Sequence, residues 1–539
     1  MKTDVQVTVT GLPFSSAGIS GISISYGVNS MPTASLELDA CYIQKNAPAF
    51  LCNPDKYKVR SKAVSITVKT KTGCLYFDGF FDGLSVSQSV GSLTYTATIR
   101  SVFQRLLEIY PRTWGVCPSS FNIFTDPDQL KVQHGNPLRI FTAAEVGAIH
   151  GTKTDGTIPK FIIDLVKVMI NTQFDSSKNV SPSPAANDIL KLMQDSYLKN
   201  LNAAKELINR IDLTYVNDCA IQSAFSADMA MQLITSNQFT DLWSMLVNVF
   251  NYLGCCLVVG NRTVTVLPET KFLKFDHPVP KFQSTIVRTN CADPGQYNSF
   301  STSDTGRVNI KAVYVTTDTS EMMSKGSINM DNPLATTMGV YPPNGGKDPE
   351  IPDDGADGIL IVNAPAFFLT AMNGLATTNP KAQASQLAQN PPFIDRVYDP
   401  RGITTIITAT TDSLKKANVT FETLRNQYAK LKFLQSKYED RVGQLTTYFN
   451  PHWVPGTSGS LYMRLPGSFK QFYVTNVHHV ISMKSPNSGT AVTSVSFCSV
   501  RQGTYGNIPG VTQDDLFQYD QTKMKQFQAS WLKDTSSPQ

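Results

Sequence analysis

Three of the six histidines lie near one another towards the C-terminal end of the chain. His452 precedes Trp453, and His478 and His479 follow within thirty residues. Imidazole nitrogens bind zinc and act as general bases, so this group could form a metal or catalytic site. However, the segment around His478 and His479 reads as a strand, whose neighbouring side chains point to opposite faces. Because no H-E-x-x-H or C-x-x-C pattern accompanies these histidines, we expect them to have structural roles.

Other residues that could perform chemistry lack the spacing that the chemistry requires. Glycines flank serines at 18–21 and 456–460, but not in the G-x-S-x-G order of a hydrolase. Asp353, Asp354 and Asp357 lack the ligand spacing and the closing Glu of a calcium loop. No G-x-x-x-x-G-K-[ST] phosphate-binding loop occurs. The sequence therefore predicts no catalytic residue, no metal site and no cofactor, and a protein that is not an enzyme.

The composition indicates a large protein with a neutral, polar surface. Of 539 residues, 41% are hydrophobic and 17% are charged, with a formal net charge of +5. This length predicts about three or four domains. Lysine and arginine are dispersed without a basic block, which argues against sequence-specific nucleic acid as a partner. The nine cysteines form no paired motif, and we expect reduced thiols in a protein made in a cytosol.

No pattern predicts export or insertion into a membrane. The N-terminus alternates apolar and polar residues from Val5, which is typical of a strand and not of a signal peptide. The most apolar run, 253–259, is far shorter than the roughly 20 residues that span a bilayer. We therefore expect no membrane-spanning segment.

Residues 1–115 are predicted to form a small β-barrel or sandwich. Short alternating runs, such as 64–68 and 93–99, are separated by Gly and Pro. The predicted hairpin at 80–100 is similar to one at 472–501, since in both an aromatic pair opens one strand and an arginine closes its partner. Two explanations remain open: a duplicated β-domain split by a long insertion, or the general similarity of β-hairpins.

The region between the two hairpins has a different character. Residues 116–319 are predicted to form an inserted α+β domain, with helical periodicity at 161–170, 188–211 and 239–253. A hairpin follows the last of these helices. Residues 320–402 are predicted to form an excursion rich in Pro and Gly, of a length that usually serves a partner or stays mobile. A helix is then predicted at 421–442, within a region 403–503 that contains a second β-barrel.

The C-terminal region resembles the tail or baseplate hub proteins of tailed bacteriophages and related contractile injection machines. In that family an N-P-x-x-x-P-G-x-x-G turn precedes a strand with a V-x-x-V-x-H pattern. Residues 77–83 and 243–267 also resemble the family's first barrel and its helix-plus-hairpin element. The turn is matched by Asn450, Pro451, Pro455, Gly456 and Gly459, and the strand by Val474, Val477 and His479.

The resemblance implies a β-rich α+β fold with two similar small β-barrels, separated by an inserted α+β region and a long irregular excursion. It implies a structural virion protein in the tail baseplate, made in the bacterial host cytoplasm. Such a hub is a homotrimer that joins the hexameric tail tube to the trimeric central spike, contacts other baseplate proteins and nucleates tube assembly. The alternatives are a hub that carries a cell-wall hydrolase, or a secretion-system spike core of similar fold.

The C-terminal residues 504–539 are predicted to be a docking tail. Its apolar residues recur at separations of seven, three and four, which places them on one face of a helix. A lone helix of this length is marginal in water, so the stripe should bury itself against a partner or the hub body. The stripe consists of Phe517, Met524, Phe527 and Trp531.

Overall fold

The computed structural model describes residues 5–58, 62–70, 73–109, 114–116, 139–141, 203–216, 241–260, 262–274, 291–292, 297–304, 310–316, 339–342, 358–363, 429–437, 441–451, 453–462, 468–485 and 488–504, with a few positions between 160 and 170. Within these ranges, no helix is long and apolar enough to cross a membrane.

Strands dominate the described parts of the chain. The helices are α1 Ala40–Asn46, α2 Pro48–Cys52, α3 Leu242–Tyr252 and α4 Glu269–Lys274, with further helical residues at 203–208 and 429–436. The strands are β1 Gln6–Thr10, β2 Ile19–Gly27, β3 Thr33–Leu38, β4 Val64–Thr70, β5 Gly73–Ser89, β6 Ser92–Ser101, β7 Trp114–Val116, β8 Arg139–Phe141, β9 Ile211–Asp212, β10 Cys255–Val259, β11 Val264–Pro268, β12 Cys291–Ala292, β13 Tyr297–Asp304, β14 Ile310–Thr316, β15 Gly339–Tyr341, β16 Gly358–Asn363, β17 Arg441–Tyr448, β18 Ser458–Tyr462, β19 Ser468–Ser485 and β20 Ser488–Thr504.

Twelve strands form one sheet, whose two halves repeat the same strand order. The first half runs β1-β4-β5-β6-β3-β2, and the second runs β12-β18-β19-β20-β17-β13. Numbered along the chain within each half, both orders read first, fourth, fifth, sixth, third, second. The neighbours within each half are antiparallel, except that the two-residue strand β12 is parallel to β18. We call these halves the first repeat and the second repeat; their shared order supports a duplication over a chance likeness of hairpins.

The two repeats are joined by a ladder between β2 and β19. Residues 21–27 of β2 pair antiparallel with residues 476–482 of β19. The fold class predicted from the sequence, β-rich α+β, is confirmed. Among the described strands no pairing closes either repeat into a barrel, and the two repeats share one continuous sheet.

Alternating side chains build the cores beneath this sheet. In β4 the buried residues Val64, Ile66 and Val68 alternate with more exposed ones, as expected for a strand with one face on the core. The core of the second repeat is smaller and centres on two aromatic rings. Phe472 of β19 stacks on Phe497 of β20 with ring centroids 4.2 Å apart.

The helix-plus-hairpin element predicted near residue 250 is confirmed. The Asp241 side chain caps α3 by accepting a hydrogen bond from the Ser244 backbone N–H at 2.7 Å. The helix leads through Gly254, whose φ is +71°, into the antiparallel hairpin β10–β11, whose strand residues are all buried. Short β9 adds to β11 in parallel. We call β10 and β11 the middle hairpin.

Three sequence predictions need correction. Residues 297–304 were assigned to the inserted region, but as β13 they pair with β17 and so belong to the sheet. Val442 was predicted to continue a helix; it lies instead in β17, where pairing with β13 and β20 outweighs its helical spacing. Ile211 was predicted to end a helix but lies in β9, because its backbone pairs with Val264 of the middle hairpin.

Two strands of the Pro/Gly-rich excursion, β15 and β16, form a small sheet with β14. The strand order is β15-β14-β16, with β14 and β16 parallel. Leu360 and Val362 pack against the core around α3, whereas Ile359 and Ile361 on the alternate face are exposed. Most of the excursion, and all of the predicted docking stripe at Phe517, Met524, Phe527 and Trp531, lie outside the described residues.

Candidate functional site

The two adjacent histidines lie on opposite sides of β19, as the strand pattern predicts. His479 is buried, with Nδ1 2.9 Å from the hydroxyl of Thr493. Its ring packs against Phe449, with centroids 5.4 Å apart. His478 lies on the more exposed side, where its Nδ1 is 2.7 Å from the hydroxyl of Ser25 on β2. His452 lies outside the described residues.

The surroundings of both imidazoles favour the neutral form. Burial, reinforced by His478, lowers the pKa of His479 to about 3, so this ring is uncharged at neutral pH. Burial also lowers the pKa of His478. The contact between Ser25 and His478 has the distance of a nucleophile and its base, but in a hydrolase a carboxylate orients the histidine and stabilises its charged form. A lowered pKa argues against such a catalytic pair. We interpret both histidines as structural contacts within the β2–β19 joint.

The predicted turn motif forms a corner that leads into β18. Trp453 is buried and stacks on Phe472, with centroids 6.3 Å apart. Asn450 donates its backbone N–H to the Thr493 hydroxyl at 2.9 Å. Gly459 leaves room for the Phe472 ring, since a Cβ there would lie 2.5 Å from Cε2 of that ring.

Gly456 of this corner has a left-handed backbone and lies against the middle hairpin. Its φ is +75°, and the buried Pro455 precedes it. A Cβ at Gly456 would lie 2.9 Å from Cγ2 of Val258 and 3.0 Å from Sγ of Cys256. The glycine is therefore required both by the backbone conformation and by the close approach of β10.

Between its pairings with β18 and β2, strand β19 is held by hydrogen bonds from two loops. The Val474 carbonyl accepts from the Gly456 N–H at 2.8 Å, and the Val474 N–H donates to the Thr457 carbonyl at 2.9 Å. The next carbonyl, that of Thr475, accepts from the Val28 N–H at 3.1 Å. Thus the corner and the end of β2 together satisfy the edge of β19 where its partner changes.

Asn29 fixes the first repeat to the middle hairpin through both its backbone and its side chain. Its N–H donates to the Leu257 carbonyl at 2.8 Å, and its Oδ1 accepts from the Leu257 N–H at 2.8 Å. Val28 beside it forms an isolated bridge with Val258. The φ of Asn29 is +55°, a conformation that asparagine tolerates better than most residues. This contact was not predicted from the sequence, in which the Asn-Ser pair after β2 is its only signal.

A buried polar cluster lies where the middle hairpin meets the second repeat. Glu269, the first residue of α4, accepts a hydrogen bond from the Gln435 side chain at 3.1 Å. The hydroxyl of Tyr473 on β19 lies 3.6 Å from Sγ of Cys256 on β10. Burial raises the pKa of Glu269, although hydrogen bonds from Gln435 and Tyr473 and the charge of Lys432 oppose the shift.

These contacts define what we call the three-way junction. It comprises Val28 and Asn29 of the first repeat, Leu257 and Val258 of the middle hairpin, and the second-repeat residues Gly456, Val474 and Tyr473. In the described part of the chain, no group of three or more His, Cys, Asp or Glu side chains is placed to hold a metal ion. The arrangement is suited to fixing the relative positions of three parts of the chain.

Comparisons with known proteins give only distant likenesses. No family model matches the chain, and a search of curated proteins found no match. Among solved structures, the chain is similar to the tail protein from Neisseria meningitidis MC58, with 10% identity, 92% of this chain and 96% of that chain covered, and a TM-score of 0.39. The 43 kDa tail protein of prophage MuSo2 from Shewanella oneidensis gives the same values.

A third likeness is to a chain of a PdpA-VgrG complex, with 7% identity, 93% of this chain and 65% of that chain covered, and a TM-score of 0.36. The first two structures are tail proteins, the class that the sequence resembles. At these identities and TM-scores the likenesses carry no conclusion about function.

Replacement of Asn29 tests its contact with the middle hairpin. We expect Asn29→Ala to lower the free energy of unfolding by about 1–3 kcal/mol, because the buried Leu257 N–H loses its acceptor. Asn29→Gly loses the same acceptor but removes the strain of a positive φ, so its loss should be smaller. Asn29→Asp retains an acceptor and should be the mildest of the three. Chemical denaturation gives this order; equal losses for Ala and Asp would contradict the contact.

Replacement of Gly456 tests the corner. We expect Gly456→Val to lower the free energy of unfolding by at least about 1–3 kcal/mol from backbone strain, and further through its overlap with Val258. The matched control is Gly260→Val beside the middle hairpin, where the nearest atom to an added Cβ is the Thr263 carbonyl oxygen at 3.4 Å. Thermal unfolding of both variants is the measurement. Equal stability of the two would show that the corner is not constrained as described.

Glu269 predicts a pH-dependent stability. A carboxyl whose pKa is raised by folding stabilises the folded state, and this contribution is fully present when the pH is below the ordinary carboxyl pKa near 4.5. This contribution is lost as the pH rises through the folded-state value. We therefore expect Glu269→Gln, which cannot ionise, to gain stability relative to the natural chain as the pH rises above that ordinary value. Melting temperatures of both proteins across this range give the difference; a constant difference would exclude a raised pKa.

Proposed function

We propose that this protein is a structural component of a phage tail, a trimeric hub that joins a hexameric tail tube to a trimeric central spike. The observation that carries the proposal is the repeated strand order of the two halves of the sheet. It adds to the sequence resemblance, which depends on the turn at 450–459 and the strand after it.

The duplication offers a solution to a symmetry mismatch. Two repeats in one chain present two similar surfaces, and three chains present six. A ring of six similar surfaces matches a sixfold tube, while the chain itself retains threefold symmetry for a spike. A protein without the duplication would need a separate adaptor at this point.

The three-way junction supports an adaptor role. An adaptor must hold its two docking surfaces in a fixed relation, and the β2–β19 ladder does this through seven successive residue pairs. The middle hairpin is fixed to both repeats, through Asn29 and through Gly456. Contacts of this kind position surfaces and need no reacting group, in keeping with a protein whose action is mechanical.

Two further parts of the chain are assigned to partners in this proposal. The tail stripe of Phe517, Met524, Phe527 and Trp531 would bind the spike or the hub body. The excursion, of which β16 exposes Ile359 and Ile361, would meet a neighbouring baseplate protein. The protein would be located in the baseplate of the virion and would nucleate tube assembly.

Mass measurement tests the proposed assembly. The full chain, mixed with the tube protein from the same genome, should give complexes that contain three copies of this chain and six tube subunits in the first ring. Native mass spectrometry or analytical ultracentrifugation reports both numbers. A stable complex with two or six copies of this chain would contradict the proposal.

A further inference from the structure

We propose that β13 of one copy of this chain adds to the open edge of β5 in a second copy, in the way that β2 adds to β19 within the chain. This inference names the interface by which the proposed trimer would close, and so it rests on the proposed function. It follows from the equivalence of the two repeats, and the occupant of each open edge is a second copy of the same protein.

The joint within the chain shows what such an interface contains. β19 is longer than β18, and its residues 476–482, beyond the part that β18 covers, pair with β2. The far end of the β19–β20 hairpin then packs on the first repeat, where Ile481, Met483 and Ala491 join the core. The joint therefore combines a backbone ladder with burial of apolar side chains from the hairpin.

Among the described strands, the equivalent strands at the other ends of the repeats have no such joint. By strand order β5 is equivalent to β19, and β13 is equivalent to β2. β5 extends past Gly79, where its pairing with β4 ends. Beyond Gly79 the described pairings give β5 only β6 as a neighbour, and they give β13 only β17. The edge of β5 that is open in the first repeat is therefore occupied on the equivalent strand β19 of the second repeat. Likewise, the open edge of β13 in the second repeat is occupied on the equivalent strand β2 of the first.

The side chains of the open edge fit this assignment. Leu84 lies opposite the buried Ala97, and Val86 lies opposite Tyr95, so both point to the core side of the sheet. Val86 is 57% exposed, whereas β19 buries its equivalent core-facing positions between Val477 and Met483. Val86 therefore faces the core side of the sheet but remains exposed in the single chain. A second copy paired at this edge would cover it.

The same chain does not fill its own edge. Six strands lie between β5 and β13 in the sheet order, and the two do not pair in the described structure. The β13 edge carries mainly short hydroxyl side chains, with Ser299, Ser301 and Ser303 exposed. Such an edge permits close approach of a second backbone and relies on hydrogen bonds for its affinity.

Cysteine cross-linking tests the pairing in the full chain. Ser87 and Ser301 lie on the outer side of their strands, because their neighbours Val86 and Phe300 point to the core side. Mixed with the tube protein from the same genome, the chain with Ser87→Cys and Ser301→Cys should form disulfides between copies under mild oxidation, and peptide mass spectrometry should find positions 87 and 301 joined. Variants with Ser299→Cys or Ser303→Cys in place of Ser301→Cys cover a shift of register by two residues.

The matched control carries Ser87→Cys and Gln444→Cys. Gln444 pairs directly with Ser301 in the adjacent strand β17, about 4.8 Å further from the edge. This separation exceeds what a disulfide spans without backbone movement. We expect at least tenfold more cross-linked product from the best edge pair than from the control. Equal yields from both, or no product from any of the three edge pairs, would overturn the proposed pairing.

The cross-linked species separate this inference from the proposed function. Covalent products that end at three copies support both. A trimer by mass without a cross-link between positions 87 and 301 or their register variants leaves the hub proposal in place and excludes this interface. Specific cross-links that stop at two copies, or that continue into longer chains, retain the interface and contradict the trimeric hub.

Discussion

The fold depends on one constraint: the long strand β19 must satisfy its backbone on an edge that no single strand covers. β18 pairs with its first part and β2 with its later part. Unpaired backbone groups are costly once buried, and the two residues between these ladders are the difficult place. There the Gly456 and Thr457 backbone bonds to Val474, and the Val28 N–H bonds to the Thr475 carbonyl. The edge is therefore continuous although its partner changes.

This change of partner explains why three distant parts of the chain meet at one place. The corner at 453–457 must meet the C-terminal end of β2, and both then lie against β10. Gly456 allows the corner to approach the Cys256 and Val258 side chains, while Asn29 closes the other side through Leu257. The polar cluster around Glu269 lies at the same boundary. A change in any one of these contacts would be transmitted to both repeats, because each contact joins separate parts of the molecule.

The sequence predicted local structure well and long-range pairing poorly. Alternation identified β4 and β6, and helical spacing with a following hairpin identified α3 and the middle hairpin, since these patterns depend on neighbouring residues. These patterns could not assign β13, because its run of Ser and Thr lacks the strong apolar alternation of the other strands. They also could not identify the role of Asn29, whose partner Leu257 lies 228 residues away. The glycines of the corner were found through the family resemblance. Their cause, the approach of β10, is a property of the folded chain.

The two repeats differ at one edge: β19 is paired with β2, whereas in the described residues β5 has no partner beyond Gly79 on the side away from β6. Around the open edge, β5 carries Ser85, Ser87, Gln88 and Ser89, all exposed. Beyond Gly79, Val86 is the one apolar side chain of β5 that is more than a third exposed, so affinity at this edge would depend largely on backbone hydrogen bonds. Such an edge would associate weakly on its own. In the proposed hub, closure of the ring would therefore require a second surface, that of the tube or the spike, to bring three chains together. The weak affinity of this edge would in this way make the partner a condition of assembly.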